Sequence, residues 1–158
     1  MSSKFKILFI CFANHSRSPA AQAIMENLIK NKHKNLKEKI EVDSCGTSDE
    51  EAGSLPHEKI IEICKKKNIE CNHISRKMNK EDLEKNDLIV VMDDNIYNCV
   101  IENGGDKNKV KKMIDFVSDK KGLSSIPDPW KGKDSDFELA VQLIEDGCNG
   151  ILKKYNFI

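Results

Sequence analysis

Short apolar runs of β-type residues alternate along this chain with stretches of helical periodicity, an alternation that restricts the fold to βα units feeding a parallel sheet. Residues 5–11 read as a buried strand, followed by a polar loop and a helix start. There Ser18 has the character of an N-cap and Pro19 that of a first helical residue, and Ala21, Ile24 and Leu28 recur at helical spacing as far as about Lys32. Residues 40–44 alternate as a second strand. Residues 46–56 form a polar loop that leads into a helix with Ile60, Ile61, Ile63 and Cys64 on its inner side. Residues 88–92 make a third, almost fully apolar strand, and residues 110–117 a weaker fourth. After a long loop through Ser124, Pro127, Pro129 and Gly132, a closing helix begins at Ser135, where Ser135 and Glu138 have capping-box spacing; it buries Phe137, Ala140, Val141 and Ile144. With 158 residues and neither repeat nor linker, the expectation is one open α/β domain over residues 1–158. It has a four-stranded parallel sheet, helices on both faces, and the first strand, loop and helix near the sheet centre.

Charge removes several function classes. The 26 Lys+Arg balance the 26 Asp+Glu, so no global field draws the molecule to nucleic acid or an anionic membrane, and any polyanion site is local. The lysine-rich stretch 30–39 reads as a solvated connection. The apolar run 7–13 is far below the ~20 residues of a membrane span and short for a signal peptide, so the expected compartment is the cytosol. In that compartment the six cysteines are expected as reduced thiols. Cys64, Cys71 and His73 come nearest to a metal cluster, but their spacing matches no common zinc pattern, and no metal or other cofactor is expected.

The chemistry sits between the first strand and its helix, in Cys11-Phe12-Ala13-Asn14-His15-Ser16-Arg17-Ser18-Pro19. A nucleophilic thiol, five residues and then an arginine at a helix N-terminus is the layout a phosphate monoester needs. Backbone N–H groups of such a loop converge on one anion, and the helix dipole adds partial positive charge at the same point. Arg17 adds a planar fork for two phosphoryl oxygens, in a chain where only Arg17 and Arg76 are arginine and the other basic residues are lysine. The same positive field favours a thiolate at Cys11. A bare Cys-x5-Arg recurs by chance; the flanking apolar strand and Ser-Pro helix start make this one specific.

On these residues the sequence resembles the low-molecular-weight protein tyrosine phosphatases, whose signature is a strand-end Cys-x5-Arg-Ser-Pro. Further matches are Val42-Asp43-Ser44, Gly46-Thr47-Ser48, His73-Ile74-Ser75-Arg76, Lys80-Glu81-Asp82, Met92-Asp93, Asp128-Pro129-Trp130 and the stretch 134–138, so the resemblance spans nearly the whole chain. It implies Cys11 as nucleophile, Arg17 as phosphate clamp and Asp128 as general acid. It also implies that Ser18 donates to the thiolate and that Asn14 ties the loop to Ser44 and His73. Implied partners are phosphotyrosine-containing proteins, with inorganic phosphate or another oxyanion held in the loop by residues 12–16 and Ser18 and substrate bound also by Glu50 and Trp130; the sequence does not give the oligomeric state, and a monomer is the default. The chemistry of the residues is consistent with these roles: an Asp on a proline-stiffened loop can protonate a leaving phenolate and then deprotonate the water that releases phosphate. Arg17 and the loop amides supply the positive field that metal ions provide elsewhere.

Phe12 and Trp130 are expected as walls for an aromatic ring. Departures from the family pattern fall at Ala13, where glycine is usual; at Ser16, commonly cysteine; at His15, commonly aliphatic; and at Glu50, where the family often has an aromatic wall. If position 13 needs positive φ, alanine there is strained by on the order of 1 kcal/mol. Glu50 is expected to repel acidic residues beside a phosphotyrosine. Two alternatives remain: a thioredoxin-coupled arsenate reductase, which needs two more redox cysteines after the third strand where only Cys99 lies, and a noncatalytic phosphopeptide-binding module.

Overall fold

The computed structural model describes residues 3–158. Its sheet is four-stranded and all-parallel, in the order β2-β1-β3-β4, built from β1 (Phe5–Cys11), β2 (Ile40–Gly46), β3 (Leu88–Val91) and β4 (Val110–Lys112). β1 is therefore central, its Ile10 flanked by Cys45 on one side and Val91 on the other, and Cys11 opposite Gly46. Successive side chains of a strand face opposite ways, so an unbroken apolar run implies burial on both faces. Ile7, Phe9 and Cys11 enter the larger core, under α1 (Arg17–Asn27), α2 (Glu58–Lys66) and α5 (Asp134–Lys154). Leu8 and Ile10 enter the smaller one with Leu83 of α3 (Lys80–Lys85) and Ile96 and Val100 of α4 (Asp94–Glu102). None of the described helices is long and apolar enough to cross a membrane.

Four local expectations are corrected. α1 begins at Arg17 with Ser16 at the N-cap, ahead of the expected Ser18-Pro19 start. Ser18 is unavailable as a cap because its hydroxyl is engaged with Cys11 and Asn14. The helix does continue to Lys32, through a π-helical turn over Leu28–Lys32. The fourth strand stops at Lys112 and becomes a 3-10 turn, Met113–Phe116. Extended backbone would send Met113 and Ile114 to opposite faces, whereas the turn puts both into the larger core. α5 starts one residue early, at Asp134, and its box closes through Asp136, whose carboxylate accepts from the Lys133 amide at 2.8 Å, in place of Ser135 and Glu138. Finally, α3 and α4 occupy stretches with no expected helix. Each is started by its cap: Asn79 and Asp82 bond reciprocally at α3, and Asp93 accepts from Ile96 N at α4.

Candidate active site

β1 delivers Cys11 to the C-terminal edge of the sheet, and the chain turns straight into α1. Among the described residues the backbone N–H groups of residues 12–16 donate to no acceptor within the chain, so they remain free to bind an anion at the helix N-terminus. The turn requires one left-handed residue, Asn14, at φ 54°. The strain therefore falls at Asn14 and not at Ala13, and asparagine tolerates this conformation better than most side chains.

Asn14 is fully buried beneath the loop. Its Nδ2 donates to Ser18 Oγ at 2.8 Å and to Ser44 Oγ at 3.0 Å, while its Oδ1 accepts from the Arg76 amide at 3.1 Å. The Asn14 carbonyl accepts from the Ser75 hydroxyl. Ser44 in turn donates to Gln22 Oε1 at 2.6 Å. The expected link from Asn14 to Ser44 is present; the expected link to His73 is not, since no hydrogen bond joins them among the described residues. His73 turns its Nδ1 toward Asp43, 4.0 Å away, and the neighbouring Ser75 and Arg76 hold the loop. Gly46, opposite Cys11, leaves room for the loop backbone: a Cβ there would lie 2.6 Å from Phe12 O and 2.8 Å from Asn14 N.

A cleft of about 480 Å³ opens above. Cys11, Ala13, Ser16 and Arg17 form its floor, and Phe12, His15, Glu50, Asp128 and Trp130 its walls. Asn14 and Ser18, expected to bind substrate, do not line it. Ser18 Oγ lies 2.9 Å from Cys11 Sγ. The Arg17 guanidinium is only 3% exposed. One of its nitrogens donates to Asp93 Oδ2 at 2.9 Å and to the Ile126 carbonyl at 2.8 Å, and the other lies 3.7 Å from Asp128 Oδ2. A thiol, a guanidinium and a carboxyl group thus share one cleft, an arrangement that in-line phosphoryl transfer to a thiol could use. Phe12 and Trp130 are 46% and 61% exposed, so both rings offer apolar surface to a bound group.

Residues 6–156 match the family model for low molecular weight phosphotyrosine protein phosphatase. The chain belongs to that family. It is 34% identical over 149 residues to the low molecular weight protein-tyrosine-phosphatase YfkJ of Bacillus subtilis, covering 92% of each chain. To the human low molecular weight phosphotyrosine protein phosphatase it is 31% identical over 150 residues, covering 94% of each. Among solved structures, the protein tyrosine phosphatase of Entamoeba histolytica with Hepes in its active site superposes with a TM-score of 0.90 at 31% identity, covering 98% of each chain.

Several residues that line or support this phosphatase's cleft escaped the sequence reading. Asp93 both caps α4 and orients Arg17, a double use that sequence alone does not reveal. Arg76 does carry a signal, being one of two arginines in a lysine-rich chain. Its guanidinium bridges Asp43 at 2.8 Å and both oxygens of the buried Asp82 at 2.8 and 2.9 Å. Burial alone would raise the Asp82 carboxyl; the hydrogen bonds from Arg76 and Asn79 outweigh it and hold that group below the ordinary carboxylate range. Glu51 lines the cleft beside Glu50, 4.0 Å from His15. His57 donates its amide to the His15 carbonyl at 2.8 Å, clipping the loop to the start of α2, and burial followed by the charge of His15 lowers its imidazole below the ordinary histidine range.

Proposed function

We propose that this chain, acting as one domain over residues 1–158, hydrolyses phosphotyrosine and small aryl phosphates through a cysteinyl-phosphate intermediate. The observation that carries this reading is the shared cleft: Cys11 Sγ at its floor, Arg17 beside it, and Asp128 3.7 Å from that guanidinium. Cys11 attacks phosphorus in line while the loop amides and Arg17 take up charge on the equatorial oxygens. Asp128 gives its proton to the departing phenolic oxygen, then removes one from the water that cleaves the S–P bond. Ser18 donates to the sulfur as it becomes a leaving thiolate. Phe12 and Trp130 flank the aryl ring, so phosphotyrosine reaches the sulfur while the shorter phosphoserine does not. Glu50 and Glu51 on the rim disfavour acidic flanking residues. The free thiols at Cys11, Cys45, Cys64, Cys71, Cys99 and Cys148 are consistent with work in the reducing cytosol.

Turnover of an aryl phosphate, followed by phosphate release with a chelator present, tests this. The expected result is hydrolysis that Cys11→Ser abolishes while inorganic phosphate still binds. Phosphate binding with no turnover in the unaltered protein would instead favour a binding module. The reductase alternative gains nothing from Cys99, the one cysteine on α4, since the position beside Arg17 is taken by Asp93.

A further inference from the structure

The lysines of the stretch 30–39 gain neighbours through the fold that the sequence does not put beside them. This segment joins the end of α1 to the start of β2, at the N-terminal edge of the sheet, opposite the cleft. It is tightly turned: the His33 amide closes the π-helical turn on the Leu28 carbonyl at 2.7 Å, and the Leu36 and Lys39 amides donate to the His33 and Leu36 carbonyls at 2.8 and 2.9 Å. Leu28, Ile29, Leu36 and Ile40 are buried in the larger core, which leaves Lys30, Lys32, Lys34, Lys37 and Lys39 exposed. Among the described residues none of these lysines forms an ion pair, whereas Lys59 pairs with Asp134 and Lys112 with Asp94. Glu38 is the single carboxylate of the stretch.

β1 and α5 bring further charge to the same pole. The Phe5 amide donates to the Lys39 carbonyl at 2.8 Å, which sets the exposed Lys4 beside the stretch. The Phe5 ring lies 5.5 Å from the rings of Tyr155 and Phe157, so the last turn of α5, with exposed Lys153 and Lys154, reaches the same place. Nearby carboxylates are already engaged: Glu41 lies 4.0 Å from the Lys6 ammonium, and Asp87 accepts from the Lys6 amide at 2.8 Å. Lysine in a last helical turn offsets the helix dipole, but Lys4, Lys37 and Lys39 lie outside every described helix. The balanced total charge therefore conceals a one-sided concentration of lysine.

We propose that this pole is a docking surface for an anionic phospholipid bilayer, holding the protein by the N-terminal edge of its sheet with the cleft turned away. Lysine is a compact point charge that answers to the diffuse negative potential of a lipid surface, whereas the arginine fork suits the fixed geometry of nucleic-acid phosphates. Both arginines are committed elsewhere, Arg17 in the cleft and Arg76 beneath the phosphate loop. Exposed Ile158 and the half-buried rings of Tyr155 and Phe157 set apolar surface among the lysines, the mixture that interfacial binding uses. The length of β1, at about 3.3 Å per residue, holds the cleft roughly 20 Å from the pole and open to solution.

Each lysine that meets such a surface is worth about a fivefold change in partitioning, so Lys32→Gln, Lys34→Gln and Lys37→Gln together are expected to weaken binding roughly 100-fold. The test sediments the full chain with phosphatidylcholine vesicles containing roughly one-third phosphatidylserine. Binding is expected to fall steeply as salt rises and to be absent with phosphatidylcholine alone. The triple variant is expected to keep its Tm and lose the vesicles. No binding to the phosphatidylserine vesicles, equal binding to phosphatidylcholine alone, or a folded triple variant that binds as the unaltered protein does overturns the proposal. So does a DNA duplex that the protein binds in preference to the vesicles. Orientation is read from Trp130, the single tryptophan, exposed at the cleft: unchanged emission on vesicle binding is expected, and a blue shift overturns the assignment of the pole. None of these measurements depends on the phosphatase reading.

Discussion

Replacing Asn14 by alanine tests whether the phosphate loop is held from below or by its own backbone. The substitution removes the two bonds from Nδ2 to Ser18 and Ser44 and the bond that Oδ1 accepts from the Arg76 amide, all inside the protein. At about 1 kcal/mol each, these three account for about 3 kcal/mol. A Cβ without a compensating polar group at φ 54° adds about 1 kcal/mol. The expected loss is thus about 3–5 kcal/mol, a large part of the 5–15 kcal/mol typical of a domain and a fall in Tm of about 10 °C for a chain of this length. Guanidinium denaturation at neutral pH measures it. Asn14→Gly keeps the backbone conformation without the bonds and is expected to recover about 1 kcal/mol relative to alanine. An alanine variant within 1 kcal/mol of the unaltered protein would refute the view that Asn14 carries the loop, and a glycine variant no better than alanine would refute the backbone share of the cost.

Gly46→Ala places a Cβ 2.6 Å from the Phe12 carbonyl oxygen and must displace the loop; inorganic phosphate inhibition at least tenfold weaker is expected, and an unchanged inhibition constant contradicts it. Asp128→Ala is expected to slow turnover roughly 10²–10⁴-fold for poor leaving groups and far less for good ones, and a loss equal across a leaving-group series removes the residue from the proton transfer. Because the Asp82 carboxyl is lowered in the folded chain, its stabilisation is complete above the ordinary carboxylate range and is lost as pH falls through the lowered value. Denaturation from about pH 6 down to about pH 3 is expected to show the gap between the unaltered protein and Asp82→Asn closing on acidification, and a constant gap rules the linkage out.

The strands were legible where burial on both faces makes them uniformly apolar, as at Ile7, Leu8, Phe9 and Ile10. α3 and α4 were not, because charged runs such as Lys80-Glu81-Asp82 carry little apolar period and their caps do the defining. Cys11, Arg17 and Asp128 meet in one cleft because the thiol and the cation flank a single turn and the acid follows a readable Pro-rich loop. The support under that turn was misread at His73 because a polar side chain's partner depends on rotamer and register; the Ser75 and Arg76 beside it have no periodicity to betray them. Ala13 stood out because the family usually has glycine there, whereas the geometry passes the left-handed turn to the next residue.

The central place of β1 divides the cleft into parts of unequal resistance to opening. Its amides are bonded between two neighbours and shielded on both faces, so hydrogen exchange there tracks global unfolding, and the anion loop is rooted in that strand. The segment bearing Asp128 is moored through Ile126, whose amide donates to the Met92 carbonyl at 3.0 Å and whose carbonyl holds Arg17; beyond it Trp130 stands 61% exposed before α5 begins. Local fluctuation can release that segment at a fraction of the global free energy. On warming, the proposed proton donor is therefore expected to detach well before the anion loop does, leaving a temperature interval in which the protein still binds phosphate but no longer turns over an aryl phosphate efficiently.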